Sequence, residues 1–121
     1  DGVPWIGIGP RYKEINVERD QASEKSVFRY YRQLIRMRHE LPVVATGDFQ
    51  LIHANHPALF AFRRSLGEMS LGVMGNLSSR DLAVPADLQQ GELILSNYGP
   101  GGQETVLGPW EARVMDISGQ P

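Results

Sequence analysis

Apolar residues recur at helical spacing in one part of the chain, Val27 to Leu41. There Val27, Phe28, Tyr31, Leu34 and Ile35 form a stripe that Tyr30, Met37 and Leu41 widen. Ser23 suits the N-cap, Glu24 suits the first turn and Pro42 ends the segment, so the pattern predicts a helix over residues 24–40. Beyond Pro42 the period drops to two. Gly47 to His53 reads as a strand with Phe49 and Leu51 on one face. Leu59 to Ser65 alternates again, with Leu59, Ala61 and Arg63 on one side and Phe60, Phe62 and Arg64 on the other. Asn55-His56-Pro57 and Gly67-Glu68 are turns. Met69–Leu77, Asp81–Val84, Glu92–Ser96 and Ala112–Ile117 complete the set of runs.

Six to eight short antiparallel strands over residues 43–118 are therefore expected, arranged as a sandwich or barrel. Phe49, Leu51, Phe60, Phe62, Leu71, Val73, Leu93, Leu95, Val114 and Met115 are the core candidates. Alternation places only about half of them on any one face. Gly99-Pro100-Gly101-Gly102 reads as an exposed loop.

The opening segment, Asp1 to Gln21, follows neither period. Trp5, Ile6, Ile8, Tyr12, Ile15 and Val17 are scattered among glycines and prolines, too apolar for a disordered tail and too broken for a helix. Such a segment lies against something else.

Charge divides at the same boundary as periodicity. Residues 1–41 carry eight Lys/Arg against six Asp/Glu, and residues 42–121 carry four against eight, giving +2 and −4 and the net −2. No basic field points to nucleic acid or an anionic membrane, and no apolar run reaches the length of a membrane span. Without a signal peptide, a cytoplasmic location is expected. The absence of cysteine excludes thiol catalysis and a Cys-ligated zinc site. The chain opens on Asp1, as a processed product or an excised fragment would.

The chemistry-bearing residues form no catalytic pattern. Gly7-Ile8-Gly9 lacks the third glycine of a dinucleotide fingerprint, since Tyr12 stands there. His39 sits at the helix end, where its charge suits the macrodipole, and His53 and His56 flank a turn with no third metal ligand. Lys25, Arg29, Arg32 and Arg36 line one helix face, which reads as solvated or salt-bridged. Asp48, Glu68, Asp81, Asp87, Glu92, Glu104, Glu111 and Asp116 fall in turns or at strand ends and read as solvated acids. Glycosidic hydrolysis needs two facing carboxyls, and no spacing singles out such a pair. Asn76-Leu77-Ser78 matches a glycosylation tripeptide, but no secretory signal supports it. Phe49, Phe60, Phe62, Tyr98 and Trp110 read mainly as core, with Trp110 the expected exception after Gly108-Pro109.

Taken in succession, several segments resemble a known family. Pro4-Trp5-Ile6-Gly7-Ile8-Gly9-Pro10-Arg11-Tyr12-Lys13-Glu14-Ile15-Asn16-Val17 resembles a stretch of the α-glucosidase and oligo-1,6-glucosidase branch of the α-amylase family. Ser26 to Arg38 is similar to the last helix of that family's catalytic (β/α)8 barrel. Gly47-Asp48-Phe49 and Leu59-Phe60-Ala61-Phe62-Arg63-Arg64 are similar to its first two C-terminal strands. Asn76-Leu77-Ser78 and Ser96-Asn97-Tyr98 fit further along. Leu107-Gly108-Pro109-Trp110-Glu111-Ala112-Arg113-Val114 resembles the final strand, where the family usually has Tyr at the Trp110 position. The family commonly reads Val-Asn-Pro-Asn-Tyr where this chain has Ile8-Gly9-Pro10-Arg11-Tyr12.

The resemblance implies a mainly β chain with one long helix: a connecting segment (1–22), the last helix of a truncated (β/α)8 barrel (23–41) and a C-terminal antiparallel β-sandwich (42–121). The parent would cleave α-glucosidic bonds in short oligosaccharides, or act as a transglycosylase such as a trehalulose or trehalose synthase. Its nucleophile, acid/base and stabilising carboxylates would lie upstream, since barrel active sites form at the C-terminal ends of the strands. Asn55-His56-Pro57 mimics the start of the family's Asn-His-Asp motif but has Pro in the acid's place. No catalytic, cofactor-binding or metal-binding residue is carried over, and the chain alone is expected to be inactive. The missing barrel is the expected partner. A second copy, paired through the opening segment and helix, is the expected substitute, and without a partner residues 1–20 should be mobile. A stand-alone carbohydrate-binding module using Trp110 and Tyr98, or a protein-interaction module, is the rival reading.

Overall fold

In the computed structural model, residues 2–3, 5–100 and 102–119 are described, and they fall into two compact units, Asp1–Met37 and Arg38–Pro121. Pro4 of the opening motif and Gly101 of the glycine-rich loop lie outside the described residues.

In the first unit the opening segment holds a helix that the scattered glycines concealed. α1 (Val17–Ala22) starts where Asn16 caps it, the Asn16 Oδ1 accepting from the Arg19 N–H at 2.9 Å. Ser23, read as the N-cap of the long helix, instead closes α1, donating its N–H to the carbonyls of Arg19 and Asp20. The long helix α2 (Val27–Glu40) begins three residues later than the pattern suggested. Its cap is Ser26, whose Oγ accepts from the Arg29 N–H at 3.0 Å. The Asp20 carboxylate accepts from the N–H groups of Val27 and Phe28 at 3.3 and 2.7 Å, placing negative charge on the helix's positive end. This cap comes from seven residues away, beyond the reach of a local spacing rule. Lys25 consequently precedes the helix rather than lining its face. The apolar stripe is uncovered: Phe28, Tyr31 and Ile35 are exposed, as are Trp5, Ile6, Ile8, Tyr12 and Ile15 before it.

The second unit is built on antiparallel sheets. α3 (Pro42–Thr46), with Pro at its first position, leads into β1 (Asp48–Ile52). β2 (Leu59–Leu66) and β3 (Met69–Asn76) form a hairpin closed by Gly67-Glu68, and Gly67 takes the positive φ of 61° that a two-residue loop favours. β4 (Leu82–Ala83), α4 (Ala86–Gln89), β5 (Glu92–Ser96), β6 (Val106–Leu107) and β7 (Ala112–Asp116) follow. Five strands make one sheet in the order β1-β2-β3-β7-β5, and β4 pairs with β6. Every pairing is antiparallel, and the seven described strands fall within the expected six to eight. α3, α4 and β6 were invisible to periodicity because five, four and two residues are too few to show a period.

The register gives the main sheet two faces. Leu59 and Ala61 on β2, Met74 on β3 and Met115 on β7 share one face, as alternation required of Leu59 and Ala61. They form the core with Val84, Leu88, Leu107 and Ile117. Leu88 packs over Gly72, where a Cβ would come within 2.9 Å of its Cδ2, so the small residue makes room for α4. The opposite face carries Phe49, Leu51, Phe60, Phe62, Leu71, Val73 and Val114. α3 packs on β2 and β3, and Arg64 donates to the carbonyls of Val43 and Gly47 at 3.1 and 2.6 Å. Leu71, Val114 and Met115 are buried, as expected. Phe49, Leu51 and Phe60 are not: they are 58%, 48% and 47% exposed, which corrects their assignment to the core. Alternation finds apolar faces without showing which of them is covered.

Candidate functional site

The carboxylates divide sharply by environment. Glu111, expected to be a solvated turn acid, is buried, and so is Arg113 two residues on. Alternation on β7 puts Arg113 on the core face, and the Glu111 backbone closes a turn by donating to the Gly108 carbonyl at 3.1 Å. The Arg113 Nε donates to Glu111 Oε1 at 2.6 Å, and the Gly108 N–H donates to Oε2 at 2.7 Å. The Ser96 hydroxyl adds a third donor at 3.3 Å, and the second arm of Arg113 reaches the Val106 carbonyl at 2.6 Å. Burial pushes the Glu111 carboxyl up. The Arg113 and Gly108 bonds, the Arg113 charge and the Ser96 bond outweigh it and leave the group below its ordinary value. A carboxylate held ionised and fully bonded is neither a proton donor nor a free nucleophile.

Asn76 performs a similar task beside it. Its side chain is buried, and Nδ2 donates to the carbonyls of Arg80, Gly108 and Leu107 at 2.7, 2.9 and 3.3 Å. Its Oδ1 accepts from the Ser78 N–H and hydroxyl. The tripeptide match at Asn76-Leu77-Ser78 is thus occupied by a structural amide with no nitrogen left open to a glycan.

These two hubs fix the turn that presents Trp110. The Trp110 N–H donates to the Ser78 carbonyl at 3.1 Å, and its own carbonyl accepts from Asn97 Nδ2 at 2.9 Å. Its φ of 59° is an uncommon value for a large side chain, and the ring is 61% exposed, as its position after Gly108-Pro109 suggested. Tyr98, also exposed, lies against Gly108 and donates its hydroxyl to the Pro109 carbonyl at 2.6 Å.

The histidines are engaged in turns and pairs. His56 Nδ1 accepts from the N–H groups of Ala58 and Leu59, which shapes the loop between β1 and β2. His53 Nε2 lies 3.0 Å from Asp87 of α4, and Arg63 approaches the same carboxylate at 3.8 Å. His39 is in the last turn of α2. Among the described residues no group of three or more His, Asp or Glu could hold a metal ion, and no helix is long and apolar enough to cross a membrane.

What remains is surface. On the second face of the main sheet, Phe49 and Phe60 each pack tilted against Phe62, their ring centroids 5.1 and 5.7 Å from its own. Phe49 and Phe60 are exposed and Phe62 between them is half-buried, so the three rings leave an apolar strip on this face that the unit's own fold does not cover.

Comparison with known proteins gives this surface its context. Residues 1–47 match the family model of the α-amylase catalytic domain. Over 96% of its length the chain is 36% identical to the oligo-1,6-glucosidase of Parageobacillus thermoglucosidasius. It superposes on the trehalulose synthase of Pseudomonas mesoacidophila MX-45 with a TM-score of 0.83 at 28% identity, covering 93% of this chain. On the isomaltulose synthase of Klebsiella sp. LX3 the TM-score is 0.84 at 30% identity, covering 95%. The chain is thus similar to enzymes of the α-amylase family of glycosidases over nearly its whole length. Among these enzymes it is homologous to oligo-1,6-glucosidases, and it spans 22% of the length of the Parageobacillus enzyme and of each of the two synthases.

Proposed function

We propose that the chain is the C-terminal part of an α-glucosidase-type enzyme, comprising the last barrel helix and a β-sandwich that packs against the catalytic barrel. The single observation carrying this reading is the ring ladder in which exposed Phe49 and Phe60 flank half-buried Phe62, set on a unit whose first strand starts at Asp48. The match to the catalytic-domain family stops one residue earlier, at 47. The relatives hold about four-fifths of their length outside the aligned region, ample to cover that face and the apolar stripe of α2. Fully burying a large apolar side chain contributes roughly 1.5–3 kcal/mol, and Phe49 and Phe60 still have about half of their surface to bury, which suits this face to docking on the rest of the parent.

In this reading the parent cleaves α-glucosidic bonds of short oligosaccharides, and this part acts by packing. Glu111, its buried carboxylate, is committed to Arg113. The test is a p-nitrophenyl α-glucoside assay of the 121-residue chain, alone and mixed with a separately expressed upstream barrel. No turnover alone and turnover on mixing support the reading, whereas sustained turnover by the purified chain alone contradicts it. Transglycosylation is the second reading for the parent, favoured by the likeness to trehalulose and isomaltulose synthases. A sucrose isomerisation assay of the full-length parent separates the two.

A further inference from the structure

β1 lies at one end of the main sheet, and its outer edge is built to pair. The opposite edge strand, β5, is blunted by a register shift between Leu93 and Leu95, whereas β1 runs in unbroken register over all five residues. The phase of the ladder can be read from one bond: the Leu77 N–H donates to the Ala58 carbonyl at 2.7 Å. Counting in twos from Ala58, the residues Phe60, Phe62, Arg64 and Leu66 bond to β3, and Leu59, Ala61, Arg63 and Ser65 bond to β1. The β1 partners of Ala61, Arg63 and Ser65 are Ile52, Gln50 and Asp48. The main-chain N–H and C=O groups of Phe49 and Leu51 therefore point out of the sheet, and both side chains are exposed.

We propose that β1 pairs with β1 of a second copy, antiparallel, about a two-fold axis through Gln50 and perpendicular to the sheet. The register argues for a second copy because the edge complements itself. Phe49 meets Leu51 of the partner subunit as a hydrogen-bonded pair, and Leu51 meets the partner's Phe49, giving four new N–H···O bonds. Gln50 faces its own counterpart, and Asp48 faces Ile52 of the partner subunit, so no like charges are opposed. A two-fold contact closes on itself, joining the two five-stranded sheets into one of ten strands. Sequence pattern alone pointed to the opening segment and helix for self-association; β1 is a different surface, visible only in the register.

The test combines sedimentation of the full 121-residue chain with cysteine cross-linking, which is clean because the chain has no cysteine. Residues facing each other in a non-hydrogen-bonded pair have Cα atoms about 4.5 Å apart, inside the roughly 4.4–6.8 Å a disulfide accepts. Gln50→Cys is expected to oxidise to a covalent dimer, while Glu92→Cys on β5 stays monomeric under the same conditions. Phe49→Pro removes an outward donor from each copy without touching the bonds to β2, and it should weaken dimerisation about tenfold or more. A chain that stays monomeric at every concentration overturns the proposal. So does a dimer that cross-links at Glu92→Cys and not at Gln50→Cys, or one that forms equally well with Phe49→Pro.

Discussion

Arg113 and Glu111 form a 2.6 Å ion pair with side chains only 5% and 2% exposed, and through it β7 holds the turn before it and the Ser96 end of β5. Removing one partner of such a pair leaves an uncompensated buried charge, whereas removing both leaves only the neutral Gly108 N–H, Ser96 hydroxyl and Val106 carbonyl without their partners. Arg113→Met should therefore destabilise the chain by about 3–5 kcal/mol, and Arg113→Met with Glu111→Leu by clearly less. Urea denaturation of the two single variants and the double variant, read as a thermodynamic cycle, measures the difference.

The same pair contributes to the acid dependence of stability. In the folded chain Glu111 lies below its ordinary value, with burial opposed by the Arg113 and Gly108 bonds. Asp116 lies low as well, through its bonds from the Ser118 hydroxyl and N–H. A carboxyl depressed by folding contributes its full stability above its unfolded value, about 4 for these two residue types, and loses it as pH falls through the folded value. Thermal stability should thus be flat from neutral pH down to about 5 and fall below about 4 with proton uptake. Glu111→Gln should flatten part of that acid slope while lowering stability at pH 7.

The two faces of the main sheet should respond differently to truncation. Leu88→Ala opens a cavity over Gly72 in the closed core and should cost about 2–5 kcal/mol. Phe60→Ser, on the open face, should change the stability of the isolated chain by less than about 1 kcal/mol. Chemical denaturation of both variants gives the comparison.

Much of this architecture was legible in the chain. The alternation of Leu59, Ala61 and Arg63 against Phe60, Phe62 and Arg64 gave the two faces of β2, and Gly67-Glu68 gave its hairpin. The succession of motifs from Trp5 to Val114 led to the family. What escaped depended on distance in sequence. Asp20 caps α2 from seven residues away, and Asn76 holds Gly108 from thirty-two residues away. The burial of Glu111 follows from Arg113 and Gly108, which no acidic spacing rule consults. The pattern assigns Phe49 and Phe60 to the core because composition cannot tell a covered apolar face from an uncovered one.

The central claim is that the ladder face is an interface with the rest of the parent enzyme, and hydroxyl-radical footprinting of Phe60 and Phe62 tests it most directly. Phe60 is 47% exposed on the second strand of the sheet, so pairing through β1 would leave it open. The account predicts strong oxidation of Phe60 in the 121-residue chain and protection of at least about tenfold in the full-length enzyme that contains it. Equal oxidation of Phe60 in both would contradict the account.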